Sequence, residues 1–243
     1  MDGYWLENHP EVMNELAAKL GLSPDLEWYD VYSLDEPELQ HIPRPVLALL
    51  VIIPWTPAWG HDRAAEDATM PDTYQGFGLE EPVIWFKQTI GNACGSYGLL
   101  HGVINGPAKE FILPGSELEN IRREAVGLKM EERAEMLYDH KGFERAHKAV
   151  EEGGDTIVRE DHEGGHFVAF VKTDDGKLWE LEGGRNGPIV RGELGEGEDV
   201  LSQRALGMGL RRIIELEKGD GPDGGDLRFS CLALARKADS DSE

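Results

Sequence analysis

Apolar residues recur along this chain at two spacings, and the switches between them mark its elements. Val12, Leu16 and Leu20 share a helical face within Asn8–Leu20, with Pro10 in the first turn and Gly21 as the stop. Leu26–Tyr32 and Val46–Ile53 read as strands. The second is an unbroken apolar run between Pro45 and Pro54, the pattern of a fully buried strand and far too short to cross a bilayer. Residues 58–80 mix Gly, Pro, Asp and Thr without a period and predict a long surface excursion. After Cys94 the helical period returns with Tyr97, Leu100, Val103 and Ile104, until Asn105-Gly-Pro107 stops it. Ser116-Glu-Leu-Glu119 is a capping-box pattern opening a helix that Gly127 ends, and Lys129–Tyr138 predicts another.

The stretch from about His140 to Gly165 is rich in charge and Gly without sustained apolar spacing, which predicts a mobile loop. His166–Lys172 and Leu178–Glu182 then read as strands joined through Asp174-Asp-Gly176, a hairpin signal. Ser202–Leu216 predicts a helix, Gly219–Asp226 a loop, Leu227–Ala235 a last strand and Asp239–Glu243 a frayed tail. No repeat and no long linker divides the chain. A single domain over 1–237 with an acidic tail over 238–243 is expected.

Charge and cysteine usage narrow the function. A net charge of −23 over 243 residues argues against nucleic acid and anionic membranes, and suits a basic ligand or high solubility. Met1–Pro10 carries acidic residues and lacks an apolar core, so no signal peptide is expected. Cys94 and Cys231 make neither a disulfide framework nor a thiolate zinc cluster, which predicts a reducing compartment, cytoplasm or nucleus. Cys231 lies in the strand-like run, where a small buried thiol is the ordinary role.

Cys94 has a different setting. It follows a Gly-Asn-Ala turn with Gln88 upstream, and Asn92 reads as the cap of the helix that Cys94 enters. The unpaired N–H groups and positive dipole end there favour a thiolate over a thiol. An activated sulfur beside a donor that can hold an oxyanion is what a cysteine protease requires; a buried structural cysteine in a Gly-rich turn is the alternative. His166, opening a buried strand, is the candidate base, because a base must be held rigidly. Counting outward from the hairpin turn brings Glu182 within about two positions of facing it, where an acid would fix the imidazole's tautomer. His162-Glu-Gly-Gly-His166 also matches the H-E-x-x-H zinc pattern. That chemistry needs a helix, whereas two glycines and a following strand oppose one, so no metal or other cofactor is expected.

Taken together, Trp5-Leu6, Asn8-His-Pro-Glu-Val12, Trp28-Tyr-Asp-Val-Tyr32, Pro43-Arg-Pro45 with Val46–Pro54, Gln88-Thr-Ile-Gly-Asn-Ala-Cys94-Gly, His101, His166-Phe-Val-Ala-Phe170 and Glu180-Leu181 resemble a ubiquitin C-terminal hydrolase, a papain-like cysteine peptidase. The resemblance covers nearly the whole chain. It implies an α+β fold, a central mainly antiparallel sheet flanked by helices, with a knotted backbone. It implies Cys94 as nucleophile, His166 as general base and later acid, and Gln88 with the Cys94 N–H as oxyanion hole. The family usually has Asp in Glu-Leu-Asp-Gly-Arg, whereas this chain reads Glu180-Leu-Glu182-Gly-Gly-Arg185. Glu182 therefore stands in the acid's place one methylene longer, followed by an extra glycine, with Glu180 as the fallback.

The implied partner is ubiquitin, and the implied reaction is removal of small or unstructured adducts from its C-terminal glycine by a short, monomeric member acting in cytoplasm or nucleus. The 140–165 stretch takes the place of the loop that crosses the active site. Leu6, Asn92, Glu151, Glu152 and Asp155 are expected substrate contacts, the acidic ones attracting ubiquitin's Arg-bearing tail. A ubiquitin-binding module without catalysis, or a hydrolase for a ubiquitin-like protein, are the alternatives.

Overall fold

The computed structural model describes residues 8–151, 165–218 and 228–238. Its centre is one sheet of strands β1 (Leu26–Asp30), β2 (Ala48–Pro54), β3 (Gly165–Lys172), β4 (Lys177–Leu181), β5 (Ile189–Glu193) and β6 (Ser230–Arg236). Their spatial order is β1-β6-β2-β3-β4-β5, and every neighbouring pair is antiparallel. The α+β class with an antiparallel sheet is therefore as expected.

Strand alternation feeds two cores, one on each face. Ala48 and Leu50 of β2, Phe167, Ala169 and Val171 of β3, and Leu232 and Leu234 of β6 join the first. Leu49, Val51, Ile53, Val168, Phe170, Cys231 and Ala233 join the second. The first core is closed by helices α1 (Pro10–Leu20), α3 (Cys94–Ile104), α4 (Glu117–Val126), α5 (Met130–Asp139) and α6 (Lys141–Glu151). The second is closed by α2 (Pro57–Asp67), α7 (Gln203–Met208) and α8 (Leu210–Glu217). Helices on both faces leave the central strands dry, which is why β2 needs no polar positions.

α3 is buried along its whole length, so its placement is rigid. It lies tight on the sheet because two glycines face it. A methyl at Gly98 would stand 2.7 Å from Leu50 and 3.2 Å from Phe167, and one at Gly102 3.3 Å from Ala48. This close approach carries Cys94 to β3, near the end that holds His166.

Three expectations need correcting. Residues 58–80 are not all irregular: α2 opens at Pro57, with the Thr56 hydroxyl accepting from Trp59 N–H at 3.2 Å. The first part of the expected 140–165 loop is helix α6, whose Phe143, Ala146, His147 and Val150 are buried at helical spacing. Counting Ala and His as core-facing would have revealed it; residues 152–164 lie outside the described residues. The single helix expected over 202–216 is broken at Gly209, whose added Cβ would come 2.9 Å from the Phe170 ring. The expected 219–226 loop and 239–243 tail also lie outside the described residues.

One buried charge ties the helical layer to the segment leading toward Cys94. Arg133 of α5 is wholly removed from solvent and forks onto Glu81, Nη1 to Oε1 at 3.0 Å and Nη2 to Oε2 at 2.8 Å. It also donates to the carbonyls of Trp85, Ala125 and Leu128. Each donor so placed has an acceptor, which is what makes a buried guanidinium tolerable. Arg133→Met should destabilise the fold by about 3–5 kcal/mol, because Glu81 and the carbonyls lose their donor. Denaturant unfolding measures this, and a loss below about 1 kcal/mol would contradict the assignment.

Candidate active site

Cys94 is the first residue of α3 and only 5% exposed. Asn92 is not the cap. Ala93 occupies the cap position without a side-chain bond, and Asn92 instead adopts a left-handed φ of 60°, turning the chain into the helix. The expected bias toward thiolate is also reversed in the resting site. Burial pushes the thiol up most, the N–H groups of Phe167, Gly95 and Cys94 itself pull it down, and the Glu182 charge adds to the rise. Sulfur at this position needs a proton acceptor to become nucleophilic. Cys231 is buried on the opposite core, where desolvation pushes its thiol to about 12, so it stays protonated.

The candidate acceptor is one residue from the backbone N–H that reaches Cys94. His166 precedes Phe167 on β3, and strand alternation gives it the parity of Val168 and Phe170, toward α2. The register Ala169↔Leu181 places Glu182 just past β4, diagonal to His166. The two side chains meet: His166 Nε2 and Glu182 Oε1 are 2.5 Å apart. That contact leaves Nδ1 as the ring nitrogen for the sulfur side. Trp55 and Trp59 pack around the imidazole with ring centroids at 6.0 and 6.1 Å.

The longer acid fits because of its neighbours. Gly184 N–H donates to Glu182 Oε1 at 2.5 Å, and Arg63 Nη2 of α2 lies 2.7 Å from Oε2. The Arg63 approach is an ion pair whose angle falls short of a hydrogen bond. A Cβ at Gly184 would stand 2.6 Å from Arg63 Nη2 and 2.8 Å from Glu182 Oε1, so the extra glycine makes the room. Burial pushes the Glu182 carboxyl up, but the His166 bond and charge, Arg63 and the Gly184 N–H together hold it below the usual carboxylate range.

Glu180, the fallback, is engaged elsewhere. Its Oε2 takes Arg191 Nε at 2.6 Å and its Oε1 faces Arg185 Nη1 at 3.5 Å. Those arginines reach Glu66 and Asp67 of α2, and Arg212 of α8 joins Asp62 and Glu66. Burial raises Glu66, yet Arg191, Arg185 and Arg212 hold it down to about 2.

Gln88 is tied to the same acid through the backbone. Its N–H donates to Gly183 O at 2.8 Å, next to Glu182, while Trp85 Nε1 donates to Glu182 O at 3.1 Å. Side chains of α3 and its C-cap hold the run before it. Asn105 brackets Ile84 through both backbone groups, and His101 Nε2 accepts from Phe86 N–H at 3.0 Å. Desolvation pushes His101 down to about 3, so it is a neutral acceptor. The Gln88 side chain donates one N–H to Ile90 O at 3.1 Å and keeps a second, while its Oε1 is buried without a partner.

The Phe167 N–H thus bonds Cys94 beside the strand on which His166 meets Glu182, and Gln88 is held next to Glu182 through Gly183. Of the expected substrate contacts, Leu6, Glu152 and Asp155 lie outside the described residues, and Glu151 is the last residue of α6. His162 and Glu163 of the zinc pattern also lie outside, but His166 sits on a strand and is bound to a carboxylate. Among the described residues no group of three or more His, Cys, Asp and Glu is placed to hold a metal ion. None of the described helices is long and apolar enough to cross a membrane. Trp59 and Arg63 are not legible as site residues because residues 58–80 carry no apolar period, and Trp55 lies between the strand and that stretch. The available signal was Thr56-Pro57 as a helix start, with Trp59, Arg63 and Asp67 following four apart.

Residues 4–215 match the family model described as ubiquitin carboxyl-terminal hydrolase, family 1. The chain is 33% identical to Arabidopsis thaliana ubiquitin carboxyl-terminal hydrolase 3 over 96% of its length and 93% of the relative. It is 32% identical to human ubiquitin carboxyl-terminal hydrolase isozyme L1, covering 96% and 98% of the two chains. The catalytic domain of Trichinella spiralis UCH37, solved bound to ubiquitin vinyl methyl ester, shares the fold. The TM-score is 0.71 at 19% identity, over 98% of this chain and 97% of that one.

Its place one residue before the N–H that bonds Cys94 makes His166 the candidate to take that thiol's proton. In His166→Ala the thiol keeps its burial without an acceptor, so its alkylation by iodoacetamide should titrate above the ordinary value of 9.0. The unaltered chain should react at a lower pH than the variant, because His166 can take the proton. Superimposable pH profiles would contradict the pairing.

Proposed function

We infer that this chain, which belongs to family 1 of the ubiquitin carboxyl-terminal hydrolases, is a thiol-dependent deubiquitinating hydrolase. It cleaves at the C-terminal glycine of ubiquitin through a cysteine acyl-enzyme. The observation that carries this reading is the 2.5 Å His166–Glu182 contact on the strand whose next residue reaches Cys94.

His166 Nδ1 takes the thiol proton, and the Cys94 sulfur attacks the carbonyl carbon of the terminal glycine. Negative charge gathers on the carbonyl oxygen, where the second Gln88 amide hydrogen and the Cys94 N–H receive it. As the tetrahedral species collapses, the C–N bond breaks and the imidazolium gives its proton to the leaving amine. Water, deprotonated by the same nitrogen, then attacks the thioester, releasing a free carboxylate and the thiol. Glu182 fixes the ring so that Nδ1 is the nitrogen that cycles, and its charge stabilises the imidazolium.

A cysteine only 5% exposed is reached best by a thin, extended segment, which supports an acyl group ending in Gly-Gly and a small or unstructured leaving group. The charge of −23 favours approach of a basic tail, mostly through the association rate. Two unpaired, buried cysteines among the described residues fit a monomer working in a reducing compartment, cytoplasm or nucleus. The intact His166–Glu182 bond argues against a binding module whose longer acid has misaligned the histidine.

Cys94→Ala should abolish cleavage of a ubiquitin C-terminal amide while calorimetry still detects ubiquitin binding; retained turnover would sink the mechanism. Glu182→Ala should lower kcat by roughly 10²–10⁴-fold, as for an orienting acid. Glu180→Ala should instead lower thermal stability, since Arg185 and Arg191 lose a buried counter-charge, with kcat per folded molecule kept within about threefold. The reverse ranking in kcat would move the orienting role to Glu180.

A further inference from the structure

The carboxylate that steadies His166 is itself gripped from the far side. Glu182 Oε1 already takes His166 Nε2 and the Gly184 N–H. Oε2, on a side chain with no exposed surface, faces the guanidinium of Arg63 at 2.7 Å and has no hydrogen-bond partner. Arg63 is confined in turn. Its guanidinium carbon lies 5.2 Å from the Trp55 ring centre and 5.7 Å from that of Trp59, and both rings flank His166.

We propose that Arg63 is a positioning residue for the reaction, holding the free oxygen of Glu182 so that this longer acid presents its other oxygen to His166 in one geometry. The inference rests on the catalytic reading above. Glutamate has one more rotatable bond than aspartate, and each extra rotor lets the carboxylate swing away from the imidazole. A contact on each oxygen removes that freedom, and a carboxylate with one oxygen buried and bare would carry a desolvation cost. Gly184 points the same way, because any Cβ there would collide with both Arg63 Nη2 and Glu182 Oε1.

Docking of α2 does not by itself account for this pairing. Asp62, Glu66 and Asp67 already bind α2 to Arg185, Arg191 and Arg212, and Arg63 turns away from that cluster toward the acid. The charged and titratable groups facing Glu182 are His166 of β3, Arg63 of α2, Lys87 before the nucleophile's turn, and Cys94 and His101 of α3. Lys87 donates to the carbonyls of Gly184 and Arg185, and His101 is neutral, so Arg63 is the permanent cation in contact with the carboxylate. Removing it must raise the pH at which Glu182 loses its charge on acidification. The acid limb of Cys94 reactivity then moves toward neutrality.

The test compares the full chain with Arg63→Ala, Arg63→Gln and Arg63→Lys, alone and with Glu182→Asp. Arg63→Ala should lower kcat on a ubiquitin C-terminal amide by roughly tenfold with KM within about twofold. It should also move the acid limb of iodoacetamide alkylation up by about half a pH unit or more. Arg63→Lys should recover most of both. In a Glu182→Asp chain, whose shorter arm cannot hold both partners, Arg63→Ala should cost less than about threefold. An unmoved limb overturns the proposal, as does an equal loss in the Ala and Lys variants. Should Arg63→Ala fail to fold, Arg63→Gln is read by the same limb with the same two outcomes. Alkylation needs no ubiquitin, so an Arg63-dependent limb in a chain that cleaves no ubiquitin amide would refute the function and leave this inference standing.

Discussion

The site depends on a charge kept where water cannot reach it. A carboxylate with no exposed surface orients an imidazole only if it stays ionised and still, and Glu182 meets both demands through two hydrogen bonds and an ion pair. Each of these contacts comes from a different part of the fold. β3 supplies His166, the backbone after β4 supplies Gly184, and α2 supplies Arg63. The hairpin sets the first two by register. α2, far away in sequence, is brought in by the buried Trp59 and by charge.

That role explains the ionic cluster behind the site. Glu66 meets Arg185, Arg191 and Arg212, while Glu180 meets Arg185 and Arg191, in a network at the α2–β4–α8 junction. Such networks add less to net stability than their number suggests, because desolvation offsets much of the attraction. Their effect here is geometric. They fix the register of α2 against the sheet edge to within the tolerance that a 2.7 Å contact to Glu182 demands. On the opposite face α3 is placed by contact, through glycines that let it lie against β2 and β3. One half of the site is positioned by packing and the other by buried charge.

Legibility in the sequence followed the same division. Elements placed by apolar periodicity were readable: α1 with its Gly21 stop, β2 as a dry strand, α3 after Cys94, and the β3–β4 hairpin with Glu182 two places from facing His166. Elements placed by charge or small residues were not. α2 presents Trp59, Arg63 and Glu66 to the core side, so its pattern reads as polar, and α6 relies on Ala146 and His147 between Phe143 and Val150. Gly209 breaks a continuous helical pattern for a tertiary reason, the nearness of Phe170. The state of Cys94 is not legible because a helix terminus is visible in sequence, whereas the burial that outweighs it is not. The departure at Glu182 was visible from the start. Its compensation by Arg63 and Gly184 required coordinates.

The proposed reaction asks Cys94, His166 and Glu182, each on a separately anchored segment, to act together on one substrate. The most direct measurement is reaction of the full chain with ubiquitin carrying a thiol-reactive group at its C-terminus, followed by mapping of the modified residue. The account predicts a single adduct on Cys94, with the Cys231 thiol untouched because burial holds it protonated at about 12. Modification at Cys231, or no adduct despite measurable ubiquitin binding, would contradict it.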